Sequence, residues 1–196
     1  DCSSGHGHVA IISAWFDSGL PLRYTSTALD LASREGHVAI LSAWKASGQE
    51  MLYSEAALDS ASAAGRTEIL QWWMLSGLEL RYSELAMDSA SGANSISVLN
   101  WWTRSGLSVI YSDKSLELAS AGGSLQILDW RVMWRESYFQ LKYDPDACAV
   151  AATRNSRFKV LQWWHDYIPD DFSAAPINAA IEEGNHRMIR WWLKRG

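Results

Sequence analysis

The chain of 196 residues has little of what marks a secreted, membrane-spanning or nucleic-acid-binding protein. Its two cysteines, Cys2 and Cys148, lie far apart, so no disulfide framework can be read and a reducing, intracellular setting (cytoplasm or nucleus) is expected. No uninterrupted apolar run approaches the roughly 20 residues that cross a bilayer, and no signal-peptide pattern opens the chain, so membrane insertion is not expected. Basic residues are in deficit: 17 lysines and arginines face 22 aspartates and glutamates, a net charge of −5. That argues against a nucleic-acid partner, which would need a basic face to neutralise its phosphates. Gly-x-Ser-x-Gly, a phosphate-cradling glycine loop and His-Glu-x-x-His are all missing. Carboxylates recur with a regular spacing and are not paired, so neither an enzyme nor a cofactor is expected. Cys2, His6 and His8 lie close together, but their spacing is loose and no fourth ligand is evident, so no metal is expected either.

What the chain does have is apolar content (48%) and twelve tryptophans, and these are periodic. Tyr24, Tyr53, Tyr82 and Tyr111 recur every 29 residues; Tyr143 follows after a three-residue excess, and Phe172 comes 29 later. Ser-Gly recurs at Ser18-Gly19, Ser47-Gly48, Ser76-Gly77 and Ser105-Gly106, and tryptophan at Trp15, Trp44, Trp73 and Trp102. Three rulers with one period define a repeat.

The stretch from Ser54 to Tyr82 shows the grammar. Ser54 is placed as a helix N-cap whose hydroxyl accepts a first-turn N–H. Tyr53 before it and Leu58 after it have the spacing of a hydrophobic staple. Ala61 and Ser62 are small enough for close helix approach, and Gly65 ends the helix. A second helix from about Arg66 to Ser76 carries Ile69, Leu70, Trp72 and Trp73 on one broad face, and Gly77 stops it. Leu78-Glu79-Leu80-Arg81-Tyr82 then alternates as an extended segment with one buried side does. A helical hairpin cannot bury its apolar face alone, so the expected fold is all-α: an α-solenoid of about seven stacked helix-turn-helix repeats. The boundaries read as 1–24 (partial), 25–53, 54–82, 83–111, 112–143, 144–172 and 173–196, in one repeat domain. The first repeat lacks most of its first helix, which reads as part of a longer chain or assembly.

Ala28-Leu29-Asp30-Leu31-Ala32-Ser33, Gly36-His37, Ile40-Leu41, Trp44 and Gly48 together resemble the ankyrin repeat, and Ala175-Pro176-Ile177-Asn178 keeps the proline of that family's first motif. The resemblance spans essentially the whole chain. At 29 residues the repeat is shorter than the family's roughly 33, and the missing residues fall in the linker, so β-hairpin fingers should be short or absent. This is a tryptophan-rich variant: the family's Leu-Leu pair is often Trp-Trp, and its first-helix His becomes Asp30, Asp59 and Asp88, with Glu117 and Asn178 later.

The tryptophan pairs are expected in the core in place of Leu-Leu, one facing its own repeat and one the next. The aspartates are expected to hold backbone or indole N–H groups near helix starts. Cys148 reads as a small core residue. The resemblance implies that a partner, another protein, docks on the concave face formed by the first helices. Aligned on that face are Arg34 and Glu35, Ala63 and Ala64, Gly92 and Ala93, Ala121 and Gly122, and Arg154, with Ile110 as an apolar anchor on the linker rim. A protein-protein interaction scaffold or adaptor is therefore the expected function. Two alternatives are a structural subunit packing by its ends or convex face, and a small-ligand site at the irregular fifth repeat around Trp130, Trp134 and Tyr138.

Overall fold

A computed structural model describes residues 1–20, 23–134, 142–167 and 172–195, with the backbone alone at 133 and 134. These residues form helices and connections with no strand and no hairpin finger among them, so the chain is all-α, an α-solenoid of two-helix repeats. First and second helices alternate: α1 (Cys2–Gly5), α2 (Val9–Asp17), α3 (Thr27–Glu35), α4 (Val38–Ala46), α5 (Ala56–Ala63), α6 (Thr67–Leu75), α7 (Leu85–Gly92), α8 (Ile96–Arg104), α9 (Lys114–Gly122), α10 (Leu125–Trp134), α11 (Pro145–Arg154), α12 (Phe158–Tyr167), α13 (Ala175–Glu182) and α14 (His186–Leu193). No helix among the described residues is long and apolar enough to cross a membrane.

The packing resolves two compact bodies, Asp1–Ala90 with Ser97–Ile110 and Ser91–Ile96 with Tyr111–Gly196. In the first, α1, α3 and α5 pack in succession, as do α2, α4 and α6; in the second, α9, α11 and α13 form the equivalent row. The buried set repeats: Ala57, Leu58 and Ala61 from a first helix meet Ile69, Leu70 and Trp73 from its second. Small residues at 57 and 61 let the backbones approach, and the larger apolar groups fill the gap between hairpins.

Each hairpin turn has one left-handed residue. Gly36, Gly65 and Gly123 have φ of 87°, 74° and 82°, while Asn94 and Ser156 take the place with φ of 57° and 54°. Glycine suits the site for a second reason at Gly123, where an added Cβ would come within 2.9 Å of Arg157 Cδ from the next repeat. The Ser-Gly pair closes the second helix. Ser76 Oγ donates to the Trp73 carbonyl at 2.6 Å and accepts from Leu78 N at 3.1 Å; Ser18, Ser47 and Ser105 repeat both bonds. One hydroxyl thus satisfies a helix-end carbonyl and the first amide of the linker.

The tryptophan expectation needs refining. The second indole of each pair, and its counterpart Trp44, is buried (half-buried at Trp192) and its N–H reaches back into the preceding repeat: Trp44 to Ser4 at 3.2 Å, Trp73 to Ser33 and Trp102 to Ser62 at 3.0 Å. The second body has Trp164 to Ser120 at 2.9 Å and Trp192 to Thr153 at 3.0 Å. The first indole is only half-buried and bonds to the preceding second helix, Trp72 to Ser42 at 2.9 Å and Trp101 to Gln71 at 3.1 Å. The core pair is therefore Ile-Leu followed by one tryptophan, with the other indole lying along the second-helix face. Tyr53 also has a role beyond the staple position: its ring lies 4.5 Å from that of Trp73, and its hydroxyl donates to the Glu79 carbonyl of the next linker at 2.7 Å.

The indole bond should be measurable. Trp73→Phe and Ser33→Ala should each lower stability by about 1–2 kcal/mol, and the double variant should lose about 1 kcal/mol less than their sum. Guanidinium unfolding of the four proteins checks this; strict additivity would mean the two groups are not coupled.

Candidate partner-binding site

The first helices are set side by side by a carboxylate latch. Asp30 accepts from the backbone N–H of Ser54 at 2.9 Å and from its hydroxyl at 2.7 Å, and Asp59 does the same to Ser83 at 2.9 and 2.6 Å. Asp1 holds Thr25 through both groups at 3.1 Å, and Asp146 holds the Ser173 amide at 2.9 Å. Ser54, expected as the N-cap, stands one residue before it, since Glu55 takes that position; Ser54 is held by the preceding repeat, and its Oγ accepts from the Ala56 amide. Backbone N–H groups meet the carboxylates as expected, whereas the indoles of Trp44, Trp73 and Trp102 go to a column of serines and that of Trp163 to Asp129 on the preceding second helix. Burial, then two Ser83 bonds that oppose it, then the Glu55 charge, set the Asp59 carboxyl, whose pKa is raised above the ordinary value.

A second contact sets the far ends. His37 Nε2 lies 3.2 Å from the Gly5 carbonyl, to which it can donate, and Arg157 Nε donates to the Ala121 carbonyl at 3.0 Å. At these turns, and at Gly65 where Arg66 reaches the Arg34 carbonyl at 3.5 Å, the side chain that follows the turn residue ties down the C-terminus of the preceding repeat's first helix.

Between α5 and α7 this leaves an open groove of about 620 Å³. Glu55, Ala56, Ser60 and Ala63 line one side, Leu85 and Ser89 the other. Leu85 is 57% exposed. Of the residues expected on this face in the first body, Ala63 lines the groove and Ala64 is exposed at its end. Arg34 and Glu35 are exposed and paired with each other at 2.8 Å. Ile110 is a linker residue 44% exposed, in a segment where Leu107, Val109 and Tyr111 turn inward.

In the second body, Ala93 and Gly122 are exposed and Gly92 and Ala121 half-buried. Both glycines sit at a close helix crossing: a Cβ on Gly122 would stand 2.9 Å from the Gly92 carbonyl oxygen, and one on Gly92 3.1 Å from Leu118 Cβ. Arg154 lies 3.7 Å from Glu182 and 3.6 Å from Glu183. Cys148 is buried as expected, and burial pushes its thiol up to about 12, so it stays protonated. Among the described residues no group of three His, Cys, Asp or Glu side chains could hold a metal. Trp130 is buried; Tyr138 and the Trp134 side chain lie outside the described residues.

One residue was missed. The tryptophan ruler of 44, 73 and 102 lands next on Arg131, which is only 1% exposed. Its guanidinium takes the indole's place, donating to Ser91 at 3.3 Å and to Ser115, and lying 4.4 Å from the Tyr111 ring where the other repeats stack Tyr on Trp. Ser115, itself 2.8 Å from Ser91, stands where earlier repeats have Ala57 and Ala86. Arg131 in α10 and Ser115 in α9 both belong to the irregular fifth repeat. Counting the 29-residue ruler one step further finds it.

Neither a protein-family model nor a curated protein matches the chain. Among solved structures it is similar to the human ASB11 ankyrin repeat domain, at 15% identity and a TM-score of 0.61, over 86% of this chain and 82% of that one. The fold is ankyrin-like.

Two outcomes are expected. Because the Asp59 pKa is raised in the fold, the stability it contributes is present below the unfolded pKa and is lost as pH rises through the folded one. Asp59→Asn, which does not titrate, should therefore gain stability relative to the parent as pH rises from about 3 to about 7, as thermal melts across that range would show. Arg131→Trp combined with Ser115→Ala should restore the pattern of the other repeats and raise stability by about 1 kcal/mol or more, whereas Arg131→Ala should lower it by about 3 kcal/mol; chemical unfolding distinguishes them.

Proposed function

We propose that the chain is a protein-protein interaction scaffold, a short tryptophan-rich ankyrin-like variant that receives a partner on its first-helix face. The observation that carries this reading is the groove between α5 and α7, open to solvent and lined largely by small and apolar side chains, with Leu85 exposed in it. Small side chains let a partner backbone come close, and a larger apolar residue gives it something to bury. The latch occupies the aspartates there: Asp59 borders the groove, but its acceptor atoms are held by Ser83 of the next repeat, as those of Asp30 are by Ser54. The ankyrin-like fold agrees with the reading by analogy.

Arg34, Glu35, Ala63 and Ala64 supply the face in the first body, with Ile110 on its linker. Gly92, Ala93, Ala121, Gly122 and Arg154 supply it in the second, the two glycines through backbone access. A second reading, a structural subunit gripped by its other side, draws on Met74 and Leu75, both exposed at the end of α6. It keeps the first-helix face free.

Affinity capture from the source cells with the parent chain, followed by mass spectrometry, separates the two. Ala63→Arg, Ala64→Arg, Ala93→Arg and Ala121→Arg together should leave the melting temperature within about 4 °C and weaken a saturable partner at least tenfold. A partner held with unchanged affinity by this folded variant would move the interface to the second-helix face or the ends.

A further inference from the structure

The charge of the molecule is unevenly placed. The first body carries eleven carboxylates against six lysines and arginines and so holds the whole net charge of −5, while the second carries eleven of each. Four of the six cations in the first body already hold structure: Arg34 with Glu35, Arg81 with Glu79, Lys45 on the Ser76 carbonyl and Arg66 on the Arg34 carbonyl. None of the residues lining the α5–α7 groove is cationic.

Glu55 lines that groove, and Glu84 stands exposed beside Leu85. Neither carboxylate forms an ion pair among the described residues, in contrast to Glu35 and Glu79. The field is felt locally, since the Glu55 charge adds to burial in favouring the protonated form of Asp59. An apolar floor bordered by two unneutralised carboxylates complements a segment that is apolar on one face and cationic along its edge.

We infer that the groove takes a cationic amphipathic helix of a partner protein, its small apolar side chains against Ala56, Ala63 and Leu85 and its lysines or arginines over Glu55 and Glu84. This rests on the first-helix face being the docking surface and adds the chemistry of what docks. Two facing helices present a trough into which a third helix can lay a ridge, and exposed acidic groups at its edge raise the encounter rate with a basic segment and screen out acidic ones.

The test titrates the full chain with three synthetic helical peptides: one with alanine and leucine on one face and lysine on the other, its Lys→Glu counterpart, and a lysine peptide without the apolar face. Amide chemical shifts are followed. The lysine-apolar peptide should bind saturably, shift residues of α5 and α7, and weaken several-fold between about 50 and about 200 mM salt. In Glu55→Lys/Glu84→Lys the preference should pass to the Glu peptide, and Leu85→Lys should weaken both. Equal binding of the Lys and Glu peptides in the groove would overturn the cationic inference and leave the docking face intact. Equal binding of the apolar and non-apolar lysine peptides, or shifts confined to other surfaces, would overturn it as attraction by bulk charge. Whether the face docks anything is decided separately, by capture with the arginine variant.

Discussion

A buried indole N–H must find an acceptor, and in this chain the acceptor belongs to the repeat before. Trp73 fills the space beneath Tyr53, and once that ring is out of water its one polar atom costs stability unless paired. The pairing atom is the hydroxyl of Ser33, a residue otherwise chosen for being small. Each hairpin that carries this indole is thereby fixed in register on its predecessor by a bond that has few other ways to form, and in the fifth Arg131 reaches Ser91 instead. The bond survives changes of length. It spans 40 residues in the regular repeats, 44 from Ser120 to Trp164 across the irregular one, and 39 from Thr153 to Trp192. Whatever the spacing in sequence, the indole arrives at its hydroxyl.

The short repeat follows from the same economy. With hairpin fingers gone, the linker has only to return the chain to the next first helix, and it does so as an extended segment with one side turned in. Leu78, Leu80 and Tyr82 face inward while Glu79 and Arg81 face water. In place of strand pairing, the tyrosine hydroxyl joins one linker to the carbonyl of the next, from Tyr24 to Glu50, Tyr53 to Glu79 and Tyr82 to Ser108. One side-chain bond per repeat does what a ladder of backbone bonds does in a finger.

Periodicity made the helices, turns and core legible, because the spacing of Leu58, Ile69, Leu70 and Gly65 is dictated by helix geometry and by the left-handed turn. Residues whose role depends on a neighbour forty positions away were not legible in the same way. Ser62 looks merely small until Trp102 is seen to need its hydroxyl. Asp59 looks like a local helix-end charge until Ser83 is placed against it. Arg131 looks like a surface arginine until the tryptophan ruler is extended to it. On the proposed docking face, the small residues along the first helices could be read by alignment. The groove itself, and the part Leu85 and Glu55 have in it, depends on how closely α5 and α7 approach, and no single repeat encodes that distance.

The latch and the indole bond point in opposite directions along the chain. A repeat offers its carboxylate to the repeat that follows and sends its indole N–H to the one that precedes, so its two faces are unlike: Asp59 goes forward to Ser83 while Trp73 goes back to Ser33. Such a face cannot mate with a copy of itself. The joint between hairpins is of the heterologous, head-to-tail kind that neither closes by two-fold symmetry nor limits its own number. The size of the array is then written in the polypeptide, one hairpin at a time, and the molecule has a polarity as definite as that of the chain that builds it.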